Sequence, residues 1–308
     1  MTVSTMTARH AFGKGKPDPS FSSAGNAGTA IAKYGRENVV DATLGVLKDD
    51  NGEFLSLPTV EKVYRSLPAD ELMDYAPIEG LASFLEAAKE FVFQGHQPRG
   101  TYTTGVATMG GSGGIRHMIY NYVDEGESFL IPTWHWGPYR EMATEYHRNW
   151  VMYDMFDKND KFNIAGMKEK ALEILAKQDS LMAIFNTPAN NPSGYSMTDE
   201  DWKEVTDFFR ECAKDTGKKI IILWDMAYID YAGDPDETRD FLKYFEDMPE
   251  NILTAIAFSM SKAFSVYGMR GGALFCLTTV KQIADEFEQV NTLPETVRGE
   301  GGFGSTGR

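Results

Sequence analysis

Ser259-Met260-Ser261-Lys262, with Arg270 eight residues behind the lysine, is the stretch of this chain best equipped for chemistry. A primary amine among small hydroxyl side chains, followed by a guanidinium, suits an aldehyde cofactor that carries a phosphate. The lysine would form a Schiff base, and the serines and arginine would hold the phosphate dianion. Taken alone, Lys262 reads equally well as one surface lysine among many. Three further motifs, upstream and in a fixed order, argue against that plain reading.

The first is Ile222-Leu223-Trp224-Asp225-Met226-Ala227-Tyr228. Ile220 to Trp224 form a continuous apolar run, which predicts a strand buried on both faces of a parallel sheet. Asp225 then stands at the strand's carboxyl end, where open α/β sheets bind their ligands. A carboxylate there can keep a ring nitrogen protonated, and Tyr228 can donate to a phenolate oxygen. Asp225 reads equally as a strand-end turn former or a helix cap. The second motif, Phe185-Asn186-Thr187-Pro188-Ala189-Asn190-Asn191-Pro192-Ser193-Gly194, follows a strand over Leu181–Phe185 and precedes a helix opening near Thr198. Its Asn-Pro and Ser-Gly pairs are turn formers, and a rigid turn there also aims an amide side chain into a site. The third, Met109-Gly110-Gly111-Ser112-Gly113-Gly114, lies between a short strand (Val106–Met109) and a helix running to about Tyr122. Glycines let backbone N–H groups approach an anion, and the helix N-terminus adds partial positive charge. The spacing is neither that of a dinucleotide fingerprint nor that of a P-loop, and a flexible linker is the plain alternative.

Together these motifs resemble the class I aminotransferases, pyridoxal-phosphate enzymes of fold type I, with aspartate aminotransferase the nearest relative. Ser259-x-Ser261-Lys262 with Arg270 resembles that family's cofactor-lysine segment. Asp225-x-Ala227-Tyr228 and Asn191-Pro192-Ser193-Gly194 resemble its ring-binding motifs, and Gly110-Gly111-Ser112-Gly113 its phosphate loop. Leu44 to Asp50 resembles its substrate-side strand, with Gly45 letting substrate approach. Met73 to Gly80 resembles the segment whose tyrosine, here Tyr75, reaches the neighbouring subunit's phosphate. Trp134, after Pro132-Thr133, stands where the family stacks an aromatic ring on the pyridine; Trp136 is the other candidate.

The resemblance implies an α/β fold: a mainly parallel seven-stranded sheet between helices, with an incomplete small domain. It implies pyridoxal 5'-phosphate as cofactor and ping-pong amino transfer between an acidic or aromatic L-amino acid and a 2-oxo acid such as 2-oxoglutarate. Lys262 would be the anchor and general base, Asp225 the partner of the ring nitrogen, and Asn191 and Tyr228 the partners of the ring oxygen. Gly111, Ser112, Gly113, Ser259, Ser261 and Arg270 would hold the phosphate. Asn191 and Gly45 would also border the substrate, and a homodimer would share its sites. The same cofactor motifs also serve lyases and decarboxylases, and a cofactor-binding but catalytically incomplete fragment is a third reading.

The implied organisation is an arm and small-domain segment over 1–48, a cofactor-binding large domain over 49–285 and an irregular tail over 286–308. Strands and helices should alternate from about 56 onward. The late arginines, Arg298 and Arg308, stand in no recognisable context, and the family's C-terminal part, with its substrate-carboxylate arginine, finds no match. Helices are expected over Gly80–Gly95 and after Thr198, the latter with Thr198 and Asp201 as a weak capping box. With 45 acidic against 30 basic residues, the net charge of −15 suits neither nucleic acid nor an anionic membrane. Cys212 and Cys276 lack ligand spacing, and His117, His135 and His147 show none for a metal. No apolar segment approaches a membrane span and Met1–Lys16 lacks a signal-peptide core, so the cytoplasm is the expected compartment.

Overall fold

Apolar runs too continuous for a one-sided sheet become strands covered on both faces. The computed structural model describes residues 19–291 together with Met6, Ala8 and Ala11. The chain divides into two compact units, one through Glu61 and one from Lys62.

The first unit holds helix α1 (Pro19–Tyr34) and the start of α2 (Pro58–Ser66). The strand expected over Leu44–Asp50 is absent. Lys48 and Phe54 make a single antiparallel bridge instead, because the intervening residues turn back. The Asp49 carboxylate accepts from the backbone N–H of Asn51 and Glu53 at 2.9 and 2.8 Å, an Asx turn that ends the extended run.

The second unit opens with α3 (Ala69–Met73) and α4 (Ala82–Phe93), so alternation begins at β1 (Tyr102–Met109) and not near residue 56. From there the order is α5 (Gly110–Tyr122), β2 (Ser128–Pro132), α6 (Pro138–Glu145), β3 (Asn149–Tyr153), α7 (Ile164–Leu175) and β4 (Ser180–Asn186). Then follow α8 (Asp199–Cys212), β5 (Lys219–Asp225), β6 (Ile252–Ser259), α9 (Met260–Ala263), β7 (Gly271–Thr278) and α10 (Lys281–Asn291). Two 3₁₀ segments, Ile229–Tyr231 and Glu237–Phe245, lie between β5 and β6.

Among the described residues seven strands form one sheet, ordered β1-β7-β6-β5-β4-β2-β3. Only β7 runs against the rest: it pairs antiparallel with β1 and β6, and the other pairs are parallel. Alternate residues of each strand feed two separate cores, as a period of two requires. Ile220, Ile222 and Trp224 join Trp202, Val205 and Phe209 of α8 on one face. Ile221 and Leu223 join Ile115, Met118 and Ile119 of α5 and Tyr139 of α6 on the other. Trp202 stacks on Phe241 at 4.8 Å between ring centres, a large apolar contact that fastens the second 3₁₀ segment.

The helix after Thr198 begins with the expected capping box. Thr198 Oγ1 accepts from the Asp201 N–H at 3.1 Å, and the Asp201 carboxylate accepts from the Thr198 N–H at 2.9 Å. The tail expected to be irregular from 286 is helical through Asn291, because Phe287 is buried in the same core as α5. Residues 292–308, with Arg298 and Arg308, lie outside the described residues. No helix among those described is long and apolar enough to cross a membrane.

Candidate active site

Strands β1, β4, β5 and β6 run the same way, so their carboxyl ends share one edge of the sheet, and the reversed β7 starts at that edge. Asn186 and Asp225 are register partners at the ends of β4 and β5, and Ala257 pairs with Asp225 from β6. Ser259 at the end of β6 faces Gly272, and Met109 at the end of β1 faces Gly271. The sequence motifs therefore converge at a single edge, where α/β sheets bind ligands.

Asp225 is 5% exposed. Its Oδ2 accepts from the Tyr139 hydroxyl at 2.5 Å and its Oδ1 from the Ala227 N–H at 3.2 Å. Burial pushes its carboxyl up to about 6, against the opposing pull of these two donors. The Tyr139 phenol, buried beside that carboxylate, is held well above its ordinary range. Asn186 Nδ2 donates to the Asp225 carbonyl at 3.0 Å, and Asn186 Oδ1 accepts from the Asn191 N–H at 2.6 Å. Burial raises the pKa of the Tyr228 phenol, and the Asn191 side chain works against that shift. The Trp224 indole N–H donates to the Thr187 carbonyl and ties the same loop to β5.

Lys262 lies on the single turn of α9, which Ser259 caps by accepting from the Ser261 N–H at 3.2 Å. Its ammonium is 5.5 Å from the centre of the Tyr228 ring and 5.1 Å from that of Tyr267. Tyr231 donates to the Lys262 carbonyl at 2.8 Å and fixes the backbone. Partial burial lowers the pKa of the lysine, and the nearby Arg270 charge lowers it further.

The third part is an anion cradle. Gly110 opens α5 with φ +69°, and a β-carbon there would lie 2.9 Å from Arg270 Nη2. Gly272 has no room for a side chain, since its β-carbon would fall 2.5 Å from the Gly110 carbonyl carbon. The Arg270 guanidinium donates to the Tyr267 carbonyl at 2.9 Å and to Ser261 Oγ at 3.4 Å. Gly111, Ser112 and Gly113 form the first turn of α5, whose N–H groups have no helical acceptor. With Ser259 and Ser261 close behind, this corner concentrates donors suited to a phosphate.

Trp134 is 52% exposed, and its carbonyl accepts from Asn190 Nδ2 at 3.4 Å. Trp136 packs edge-on against Tyr139, with 5.5 Å between ring centres. Tyr75 is 81% exposed, and no described contact joins it to the Lys262 group. Gly45 belongs to the first unit, in a tight bend closed by the Val46 N–H donating to the Leu44 carbonyl at 2.8 Å. Among the described residues no cluster of His, Cys, Asp and Glu is placed to hold a metal.

Sequence reasoning missed Tyr139. Gly137-Pro138 signals a helix start, and an aromatic next to that proline near a strand end was a hint. Nothing in the spacing, however, links it to a carboxylate 86 residues later.

Comparison with known proteins follows the same outline. Residues 37–297 match the family described as aminotransferase class I and II. The mitochondrial aspartate aminotransferase of Gallus gallus is 25% identical over 258 residues, covering 81% of this chain and 57% of that protein. An aminotransferase structure from Anaerococcus prevotii superposes with a TM-score of 0.90 at 38% identity, over 93% of this chain and 70% of the other. A mitochondrial aspartate aminotransferase from Trypanosoma brucei gives 0.70 at 26% identity, over 86% and 68%. The chain spans about half the length of the curated relatives it matches, between 54% and 57%.

Proposed function

The chain belongs to the aminotransferase class I and II family, and from that premise we propose that it transfers an amino group between an L-amino acid and a 2-oxo acid with pyridoxal 5'-phosphate. The observation that carries this is the convergence of three unlike groups at one sheet edge: the Lys262 amine, the buried Asp225 carboxyl and the Arg270 cradle. Each matches one part of that cofactor. The amine suits its aldehyde, the carboxylate its ring nitrogen, and the cradle, which a β-carbon on Gly110 would fill, its phosphate. Bound there, the cofactor supplies a carbonyl for the amino group and a ring that accepts electrons.

The chain's own residues then have separable tasks. Lys262, with its pKa lowered by burial and by Arg270, is neutral more often than an exposed lysine. It would serve as the attachment point and as the base that takes the proton from the substrate α-carbon. Asp225 keeps a proton on the ring nitrogen by offering a carboxylate away from water. Asn191 and Tyr228 would donate to the ring oxygen. Gly111, Ser112, Gly113, Ser259, Ser261 and Arg270 would bind the phosphate. Trp134, beside the Asn190 loop, would cover the ring face.

We extend the reading to an acidic or aromatic amino acid with 2-oxoglutarate as acceptor. The sequence likeness to aspartate aminotransferases supports the acidic choice. Exposed Tyr75 is suited to reach a second subunit, which makes a homodimer part of the proposal, and the cytoplasm is its proposed compartment.

The test is the visible absorption spectrum of the purified chain with pyridoxal phosphate, before and after glutamate or aspartate is added. A yellow band that disappears as the amine form grows supports amino transfer. A band that ignores every amino acid offered leaves a binding protein and refutes the transferase reading.

A further inference from the structure

The Asp225 carboxylate is held by a residue that no motif of the chain announces. Tyr139 occupies the first turn of α6, after Pro138, and is 1% exposed. Its ring is set between Trp136, edge-on at 5.5 Å, and His135, stacked at 6.5 Å. His135 is itself fixed, with Nδ1 2.7 Å from the Pro132 carbonyl. A ring clamped in this way fixes where its hydroxyl points, and the hydroxyl meets Asp225 Oδ2 at 2.5 Å. Packing alone would be met by phenylalanine, so the oxygen has a separate purpose.

We propose that Tyr139 is the positioning residue for Asp225, donating to Oδ2 so that the carboxylate keeps one orientation and its ionised form. The inference rests on the cofactor reading above. Two donors, Tyr139 and the Ala227 N–H, occupy one lone pair on each oxygen, which leaves others to accept from a ring N–H. A phenol suits the task because it stays protonated through the working pH range, whereas an imidazole would titrate within it.

The surroundings make this hydrogen bond a main control on Asp225. The titratable groups near it are phenols, Tyr139 from α6 and Tyr228 from the turn after β5. Its strand neighbours are uncharged, Asn186 on β4 and Ala257 on β6. On α9, Lys262 lies 5.5 Å from the centre of the Tyr228 ring. His135, against the Tyr139 ring, is kept toward its neutral form by burial.

The experiment measures the dissociation constant of pyridoxal phosphate by quenching of intrinsic tryptophan fluorescence between pH 5 and 8. It compares the full chain with Tyr139→Phe, Asp225→Asn and the double variant. Tyr139→Phe keeps the ring and its packing, and titrations of the cofactor and of Lys262 are common to all four proteins. The wild-type affinity should fall as Asp225 takes up its proton. Tyr139→Phe should move that inflection up by about one pH unit, a roughly tenfold loss of affinity near the inflection. In the Asp225→Asn background the same change should add nothing. An unmoved inflection, or an equal penalty with and without the carboxylate, overturns the inference while the cofactor reading stands. A wild-type chain that binds no pyridoxal phosphate overturns both.

Discussion

Asp225 is 5% exposed and both carboxylate oxygens accept hydrogen bonds within the chain, while Arg270, at the other end of the same site, is exposed. The first group is surrounded before any ligand arrives; the second faces outward and lies against Gly110, where a β-carbon would come within 2.9 Å of its Nη2. The contrast follows from the chemistry each end would serve. Whether a carboxyl is ionised depends on exclusion of water and on its donors, so it is set by packing. A guanidinium is always charged, so its end needs only backbone N–H groups, a second polar side chain and an opening. One end should therefore answer to pH and the other to competing anions.

Lys262 stands between the two ends, and its removal should have the largest effect. Lys262→Ala should abolish covalent attachment of the cofactor altogether, read by mass spectrometry after borohydride reduction; a surviving adduct would assign the anchor to another amine. Asp225→Ala should keep the colour and lose turnover by roughly 10²–10⁴-fold, measured in a coupled assay with glutamate or aspartate. Full activity in that variant would mean that the buried end does not hold the ring proton.

The cofactor-free chain offers a test of the buried end alone. The Asp225 carboxyl is raised by burial from an ordinary 3.8 to about 6. Between those values the folded chain binds the proton more tightly than the unfolded one, so stability falls as pH rises through the window. The full penalty is present above the upper value. Two units correspond to roughly 3 kcal/mol. Asp225→Asn should flatten this limb in urea titrations from pH 4 to 7, and a limb that persists would place the titration elsewhere. The smallest effect belongs to the open end. Arg270→Ala should weaken cofactor binding about 10–100-fold, the range of a lost charge-assisted hydrogen bond. Added inorganic phosphate should compete strongly with the wild type, and the pH inflection should not move. A shifted inflection would show that the two ends are coupled.

Much of this architecture was legible along the chain. The run Ile220–Trp224 predicted a strand buried on both faces, Leu181–Phe185 predicted a second strand, and Thr198 with Asp201 predicted the start of α8. The family resemblance implied a shared site for Lys262, Asp225, Asn191, Tyr228, Ser259 and Arg270, and β4, β5 and β6 end at one sheet edge. What escaped depends on partners distant in sequence. The direction of β7 leaves no mark in Gly271–Thr278, because a strand buried on both faces reads alike either way. Tyr139 meets Asp225 only through the packing of α6. The Leu44–Asp50 segment looks extended until the Asp49 carboxylate gathers backbone N–H groups and folds it back.

The reversal of β7 bears on the order in which the molecule is assembled. Because β7 runs against β1, the end of one strand meets the start of the other, and Met109 pairs with Gly271. The glycines of α5 leave the ribosome long before the arginine they lie beside. Closing so long a loop is slow relative to local structure formation. The buried end needs only β4, β5 and the earlier α6, whereas the anion cradle waits for the sheet's most distant pairing. A nascent chain halted before β7 would carry Asp225 and Tyr139 but no cradle, so uptake of a phosphate-bearing cofactor would report that β7 has been threaded into place.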